Sequence, residues 1–220
     1  MKLSENTIKI LKNYATINTN ARFEAGNTLR VLSSAKDIFS VAKIEEEIPR
    51  AFSVYNLNLL LSQLYITGEP AEIEFDEKNL ILDNGFNKIR FFYTSDDMFE
   101  HPPLKEVVLT PVYSFELPEA HLNFIQKTAS TVVAPTLSIS CDGKEVSLKN
   151  YDRRNDTAGD ATRIVGEFDQ EFNVYVNVEN LKLIQTDYTV TIGKTSSGKS
   201  TVVNFKAKNQ EIEYWIATGV

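Results

Sequence analysis

The string F-x-V-Y occurs twice in this 220-residue chain, at residues 52–55 and 172–175, at the same point of the same larger pattern. Before each occurrence come an amphipathic stretch of helical period and several strand-like runs. After each come a Leu-rich stretch, "NLNLLLSQL" or "ENLKLIQT", and three more strand-like runs. A pattern repeated over half a chain predicts two copies of one unit. The copies meet around "SDDMFEHPPLKE", residues 95–106, whose acids and paired prolines read as a connector. The expected domains are therefore 1–104 and 105–220, each opening on a helix and each with a short Leu-rich helix after F-x-V-Y.

Period-2 alternation dominates the remainder, in runs such as "AEIEFD", "NKIRFFY", "TLSISCD", "ATRIVGEF" and "EFNVYVN". Short turns such as "AGNT", "DEKN" and "CDGK" separate them, which favours antiparallel meanders over βαβ crossovers. The fold class is α+β with antiparallel sheets. In the first helix, residues 4–17, Ile8, Ile10, Leu11, Tyr14, Ala15 and Ile17 share one broad arc. Lys2, Glu5, Lys9, Lys12 and Thr16 lie on the other, with Ser4 as N-cap. The helix at 117–132 places Leu122, Phe124, Ile125, Ala129 and Val132 inward and Lys127 outward, with His121 on the apolar arc as a packed core residue.

The net charge of -7 argues against a protein whose whole surface binds nucleic acid, although it leaves room for a local basic face such as that of the first helix. One cysteine, Cys141, excludes an internal disulfide framework and reads as a buried thiol, and with two histidines it leaves too few donors for a zinc site. The start "MKLSENTIKILKN" lacks the apolar block of a secretory leader, and no run is long enough to span a bilayer, so a cytosolic protein without membrane contact is expected.

One motif points elsewhere. "GKTSSGKS", residues 193–200, satisfies the Walker A pattern G-x-x-x-x-G-K-[ST]. A phosphate loop must enter a helix whose N-terminal amides face the phosphates. Here Val203, Phe205 and Ala207 alternate with polar residues after the loop, and Tyr188, Val190 and Ile192 do so before it. Strand, polar loop and strand predict a hairpin. "YDRRNDTAGD", residues 151–160, offers Asp152, Asp156 and Asp160 but fails the calcium-loop pattern, and reads as a surface loop. "EEE" at 45–47 reads as solvated surface.

Over nearly its whole length the chain resembles the DNA polymerase sliding clamps of T-even-type bacteriophages. The resemblance rests on "MKLSENTIKILKNYATIN", "VYNLNLLL", "LNFIQKTAS", "FNVYVNVENLKLIQTDYTVTI", the Lys/Gly loop and "EYWIAT", in that order and spacing. It implies two similar clamp domains per chain and a homotrimeric ring with sheets outside and helices inside. Such a ring encircles duplex DNA without sequence preference, has no catalytic residues or cofactors, and confers processivity on a replicative polymerase. The implied partners are the polymerase's C-terminal peptide, an ATP-dependent clamp loader, and a sigma-like factor with its co-activator in late transcription. The implied location is the cytoplasm of the infected bacterial host.

By the same resemblance Lys2, Lys9 and Lys12 on the first helix, Lys127 on the third and Lys182 on the fourth would face DNA. Leu109, Pro111 and Val112 of the connector, with Tyr214, Trp215, Ile216 and Thr218 of the last strand, would form the partner-peptide pocket. Trp215 would be either a peptide anchor or a buried structural tryptophan. Ring closure would pair residues 87–94 with residues 161–168, with Phe91, Phe92 and Ile164 as apolar contacts, unless these are ordinary interior strands. Two rivals stand beside this reading. An NTPase predicts ATP turnover lost in Lys199→Ala, and a phage structural or assembly protein with duplicated β-rich domains predicts oligomers with no affinity for a polymerase or loader.

Overall fold

A computed structural model describes residues 1–68, 71–105, 107–155, 157–196, 198 and 200–219. The chain divides into two compact units, Met1–Leu104 and Lys105–Val220.

The first unit opens with α1 (Glu5–Ile17). The Ser4 hydroxyl accepts from Thr7 N at 3.2 Å, capping the first turn, and Glu5 sits favourably at the positive helix end. Strands β1 (Ala21–Phe23), β2 (Gly26–Leu32), β3 (Ile38–Ile48) and β4 (Phe52–Val54) follow, then α2 (Leu57–Thr67), β5 (Glu72–Phe75), β6 (Asn79–Asp83) and β7 (Lys88–Phe92). β1 pairs with β4, β2 with β3, and β5, β6 and β7 form one meander, all antiparallel. Ile10, Leu11 and Tyr14 of α1 are buried with Leu29, Val31 and Ile44 from β2 and β3. The Tyr14 hydroxyl meets the Ser40 hydroxyl at 3.0 Å, which satisfies both inside that core. Glu46 of β3 belongs to this helix cap. Its carboxylate accepts from Ser4 N and, at 2.5 Å, from the Thr7 hydroxyl, so the middle acid of "EEE" is structural while Glu45 and Glu47 are exposed.

The second unit runs β8 (Leu109–Leu117), α3 (Glu119–Thr131), β9 (Thr136–Asp142), β10 (Glu145–Tyr151), β11 (Ala161–Glu167), β12 (Glu171–Asn177), β13 (Tyr188–Thr195), β14 (Thr201–Ala207) and β15 (Ile212–Ala217). One sheet has the order β11-β10-β9-β12. In the other, β15 pairs with β14, β14 with β13, and β13 with β8. α3 packs on β10, where buried Asn150 donates to the Ile125 carbonyl at 2.7 Å and to the Thr128 hydroxyl at 2.8 Å.

The two halves part company after F-x-V-Y. In the first, Asn56 accepts from Leu59 N at 3.0 Å and starts α2. In the second the expected helix is absent. Val178–Asn180 makes a single 3-10 turn, and irregular chain leads from there to β13. Leu181, Leu183, Ile184 and Thr186 are all buried, and at about 100° per residue no helix face could hold them together. Their carbonyls are also taken from outside: Gln126 donates to Leu181 O at 3.0 Å and the Tyr188 hydroxyl to Ile184 O at 2.6 Å.

Candidate functional site

Among the described residues no group of three or more His, Cys, Asp or Glu side chains could hold a metal ion. α1 buries Thr7, Ile10, Leu11, Tyr14, Ala15 and Ile17, which leaves Lys9 and Lys12 exposed one turn apart on the opposite face. Neither meets a carboxylate among the described residues. Lys2 differs from the expectation: it precedes the helix, and its ammonium lies 3.8 Å from Glu72. Lys127 is exposed on α3, opposite buried Leu122, Ile125 and Ala129. Lys182, expected on a fourth helix, is half-buried in the irregular chain after the 3-10 turn.

His121 is not a lone core histidine. Half-buried, its Nε2 lies 2.5 Å from Arg163 Nη2 of β11, and that guanidinium carbon lies 5.6 Å from the centre of the Phe124 ring. Burial pushes the His121 pKa down, and the Arg163 charge pushes the same way. The neutral ring accepts a hydrogen bond from the guanidinium through Nε2.

Strand edges come next, because an unpaired edge is a template for another chain. Two edges are closed from within. Met1 and Ile73 exchange backbone hydrogen bonds of 2.9 and 2.7 Å beside β5, and Gly219 N donates to Tyr175 O at 2.7 Å beside β12. β7, paired with β6, and β11, paired with β10, have no such closure among the described residues. These are the strands singled out from the repeat. Of their apolar residues, Phe92 is 66% exposed and Ile164 57%, but Phe91 is a core residue at 7%. Neighbours on a strand face opposite ways, so Phe91 and Phe92 cannot both point outward.

The expected peptide pocket divides along the same physical line. Tyr214 and Ile216 are fully buried, in the cross-strand rows Tyr214–Phe205–Val190–Phe115 and Ile216–Val203–Ile192–Tyr113. They belong to the core. Trp215, half-buried, heads the opposite-face row Trp215–Asn204–Thr191–Ser114. On that face the next row is Ala217–Val202–Gly193–Pro111. Leu109, Pro111 and Val112 prove to be the start of β8 and not part of a free connector. Leu109 lies over Gly193, where an added Cβ would stand 2.9 Å from the Leu109 Cβ. Val112 is the extra residue of a β-bulge: Tyr113 pairs with Ile192 and Pro111 with Gly193. Thr218 is tied down through its hydroxyl, 3.0 Å from Thr201 O. The apolar patch of this face thus runs from Leu109, Pro111 and Val112 on β8 across Val202 on β14 to Ala217 and Trp215 on β15, three strands away. Alternation alone puts Ala217 on the Trp215 face of the strand, although it is not among the residues expected in the pocket.

The Walker-like string is the connection of an antiparallel hairpin, β13 to β14, and Gly193 serves packing against Leu109. Lys199, its motif lysine, and Asp156 of the 151–160 loop lie outside the described residues. Within that loop the Arg153 guanidinium carbon stacks 4.0 Å from the Tyr175 ring centre, and Asp160 pairs with Lys149 at 2.7 Å. Among the described residues no helix is long and apolar enough to cross a membrane.

No protein-family model matches the chain. It is similar to three curated proteins named sliding clamp. That of Vibrio phage KVP40 is 28% identical, with 99% of each chain covered. That of Enterobacteria phage T4 is 24% identical over 95% of this chain and 93% of the relative, and that of Escherichia phage RB69 is 24% identical over 99% and 96%. Among solved structures, proliferating cellular nuclear antigen from Entamoeba histolytica superposes with a TM-score of 0.67 at 13% identity, covering 97% of this chain and 94% of that one. The beta clamp of H. pylori gives 0.69 at 14% identity, covering 97% of this chain and 63% of that one. The fold is that of the clamps.

Proposed function

We infer that this chain, a homologue of the T4-type phage sliding clamps from end to end, is itself a sliding clamp for a DNA polymerase. The observation that carries the reading is coverage: the likeness to the KVP40 protein spans 99% of both chains, so it embraces both units and not one shared module. In this reading three copies join head to tail, β7 of one against β11 of the next, with Phe92 and Ile164 at the seam. Heterologous contacts of this kind close into a ring where the rotation allows.

Among the described residues Lys9, Lys12 and Lys127 are exposed cations of the helix faces with no carboxylate partner, and they would meet DNA phosphates, which carry no sequence information. Lys2 and Lys182 would contribute less, the first already paired and the second half-buried. Loose phosphate contacts suit a ring that must slide. The ring supplies no chemistry. It raises the effective concentration of the enzyme it holds, so that rebinding becomes intramolecular. An ATP-dependent loader would open it around DNA in the cytoplasm of an infected bacterium.

The patch around Trp215, Pro111 and Val112 would take an apolar peptide from the polymerase, with Trp215 as an aromatic anchor. A synthetic peptide of the polymerase C-terminus should shift Trp215 emission, and an unchanged spectrum at saturation would remove the residue from the site. The reading as a whole is tested by light scattering during size-exclusion chromatography over a dilution series. A trimer that dissociates only on dilution supports the ring, whereas a monomer at every concentration rules out encirclement. Oligomers that never bind a polymerase or loader would favour a structural role.

A further inference from the structure

Two β-bulges lie at opposite ends of one side chain in the second unit. On β8 the extra residue is Val112, followed directly by Tyr113. On β11 the extra residue is Val165, since Val146 pairs with Gly166 and Ser147 with Ile164, and Val165 is followed directly by Gly166. The Tyr113 hydroxyl reaches across to this second bulge. It donates to Glu167 O at 3.4 Å and stands 2.5 Å from the place a Cβ on Gly166 would occupy. A Cβ at that distance would force the phenol or β11 to shift, so glycine is what lets the two lie this close. The ring is held from its sides by Phe168 and Phe172, with centroids 4.8 and 5.7 Å away, and by Phe115 at 6.0 Å.

Bulges are the places where a strand can bend or change pairing at least cost. Here one bulge belongs to the apolar patch and the other to the uncapped edge strand, and a wedged aromatic spans them. We propose that Tyr113 is a strut coupling the peptide patch at Val112 to the β11 edge, so that occupancy of the patch alters how firmly the ring closes at that seam. The proposal rests on the clamp reading for its biological meaning, but the mechanical link is a property of the single chain. Coupling of this kind is reciprocal: a peptide that tightens the seam binds the closed ring more strongly than the open one.

The test is amide hydrogen exchange of residues 164–167 in the full-length protein, compared among the unmodified chain, Val112→Asp, Tyr113→Phe and the double variant. All four are measured at a concentration where light scattering shows one species. The strut predicts that Val112→Asp speeds exchange on β11 by roughly fivefold, the scale of one weakened hydrogen bond. Tyr113→Phe alone should raise it similarly, and adding Val112→Asp should then change it by less than about twofold. Protection of β9 and β12 reports that each variant is folded, and Val112→Ser replaces the aspartate where it is not. Unaltered β11 exchange in the Val112 variants overturns the strut, as does an equal fold-change with and without the Tyr113 hydroxyl. Because the readout lies within one protomer, a failure of ring assembly leaves this outcome decisive.

Discussion

The segments that follow the two F-x-V-Y strings begin alike and end differently. Asn56 caps eleven residues of helix, and Asn177 caps a single 3-10 turn. The first segment buries Leu57, Leu60 and Thr67 along one stripe and carries no charged residue; the second buries Leu181, Leu183, Ile184 and Thr186 together and carries Lys182. A repeat in sequence order therefore does not guarantee a repeat in local structure. Once side chains and carbonyls are engaged from outside, as by Gln126 and Tyr188, the helical alternative loses its hydrogen bonds. The clamp reading inherits this asymmetry: Lys9, Lys12 and Lys127 are exposed on α1 and α3, whereas Lys182 is half-buried in irregular chain.

The contrast can be pressed experimentally. The largest effect is expected from Leu60→Ala, which empties a site that is 3% exposed under α2 and should cost the first unit about 3 kcal/mol in urea unfolding. Replacing Lys9, Lys12 and Lys127 together with alanine should lower retention on circular DNA roughly tenfold at moderate salt and flatten the salt dependence, with the ring still assembled. Lys182→Ala should leave retention nearly unchanged, and equal losses from the two variants would restore the symmetry that the structure denies. Asn56→Ala removes a true helix cap and should cost about 1 kcal/mol, whereas Asn177→Ala should cost less than about 0.5 kcal/mol.

Acid separates the units most gently. His121 titrates below its ordinary value in the folded second unit, so the unfolded chain binds its proton more readily. The stability this gives is complete above about pH 6.5 and declines as pH falls toward the lowered folded value. In the first unit burial would raise Glu46, but hydrogen bonds from Thr7 and Ser4 outweigh it and hold the carboxyl below its ordinary value. That contribution is complete above about pH 4.5 and fades as pH falls further. Exchange-detected acid titration should therefore loosen α3 and β11 at a higher pH than α1. His121→Asn should bring the two closer.

Much of this architecture was legible from period alone. The α1 face, its Ser4 cap and the hairpin hidden in the Walker-like string follow from spacings of three to four and of two. Alternation told that Tyr214 and Trp215 face opposite ways, yet it could not tell which face is inside. That is decided by the cross-strand row through Phe205, Val190 and Phe115, whose last member lies on β8, far away in sequence. The same holds for Phe91 and Phe92. The bulges at Val112 and Val165 have no signal in composition, since an extra residue is defined only by the partner strand. The closures by Met1 and Gly219, which leave β7 and β11 as the unclosed edges of their own two sheets among the described residues, are long-range for the same reason.

Those two open edges are unlike strands, and a seam between unlike strands has a direction. A contact of β7 against β11 would join two different surfaces, so an assembly built from it would repeat one sense of rotation and have two inequivalent faces. A patch such as that around Trp215 then recurs on the same face at each step. Under the proposed clamp reading, an enzyme bound there would keep one orientation with respect to the axis of the ring.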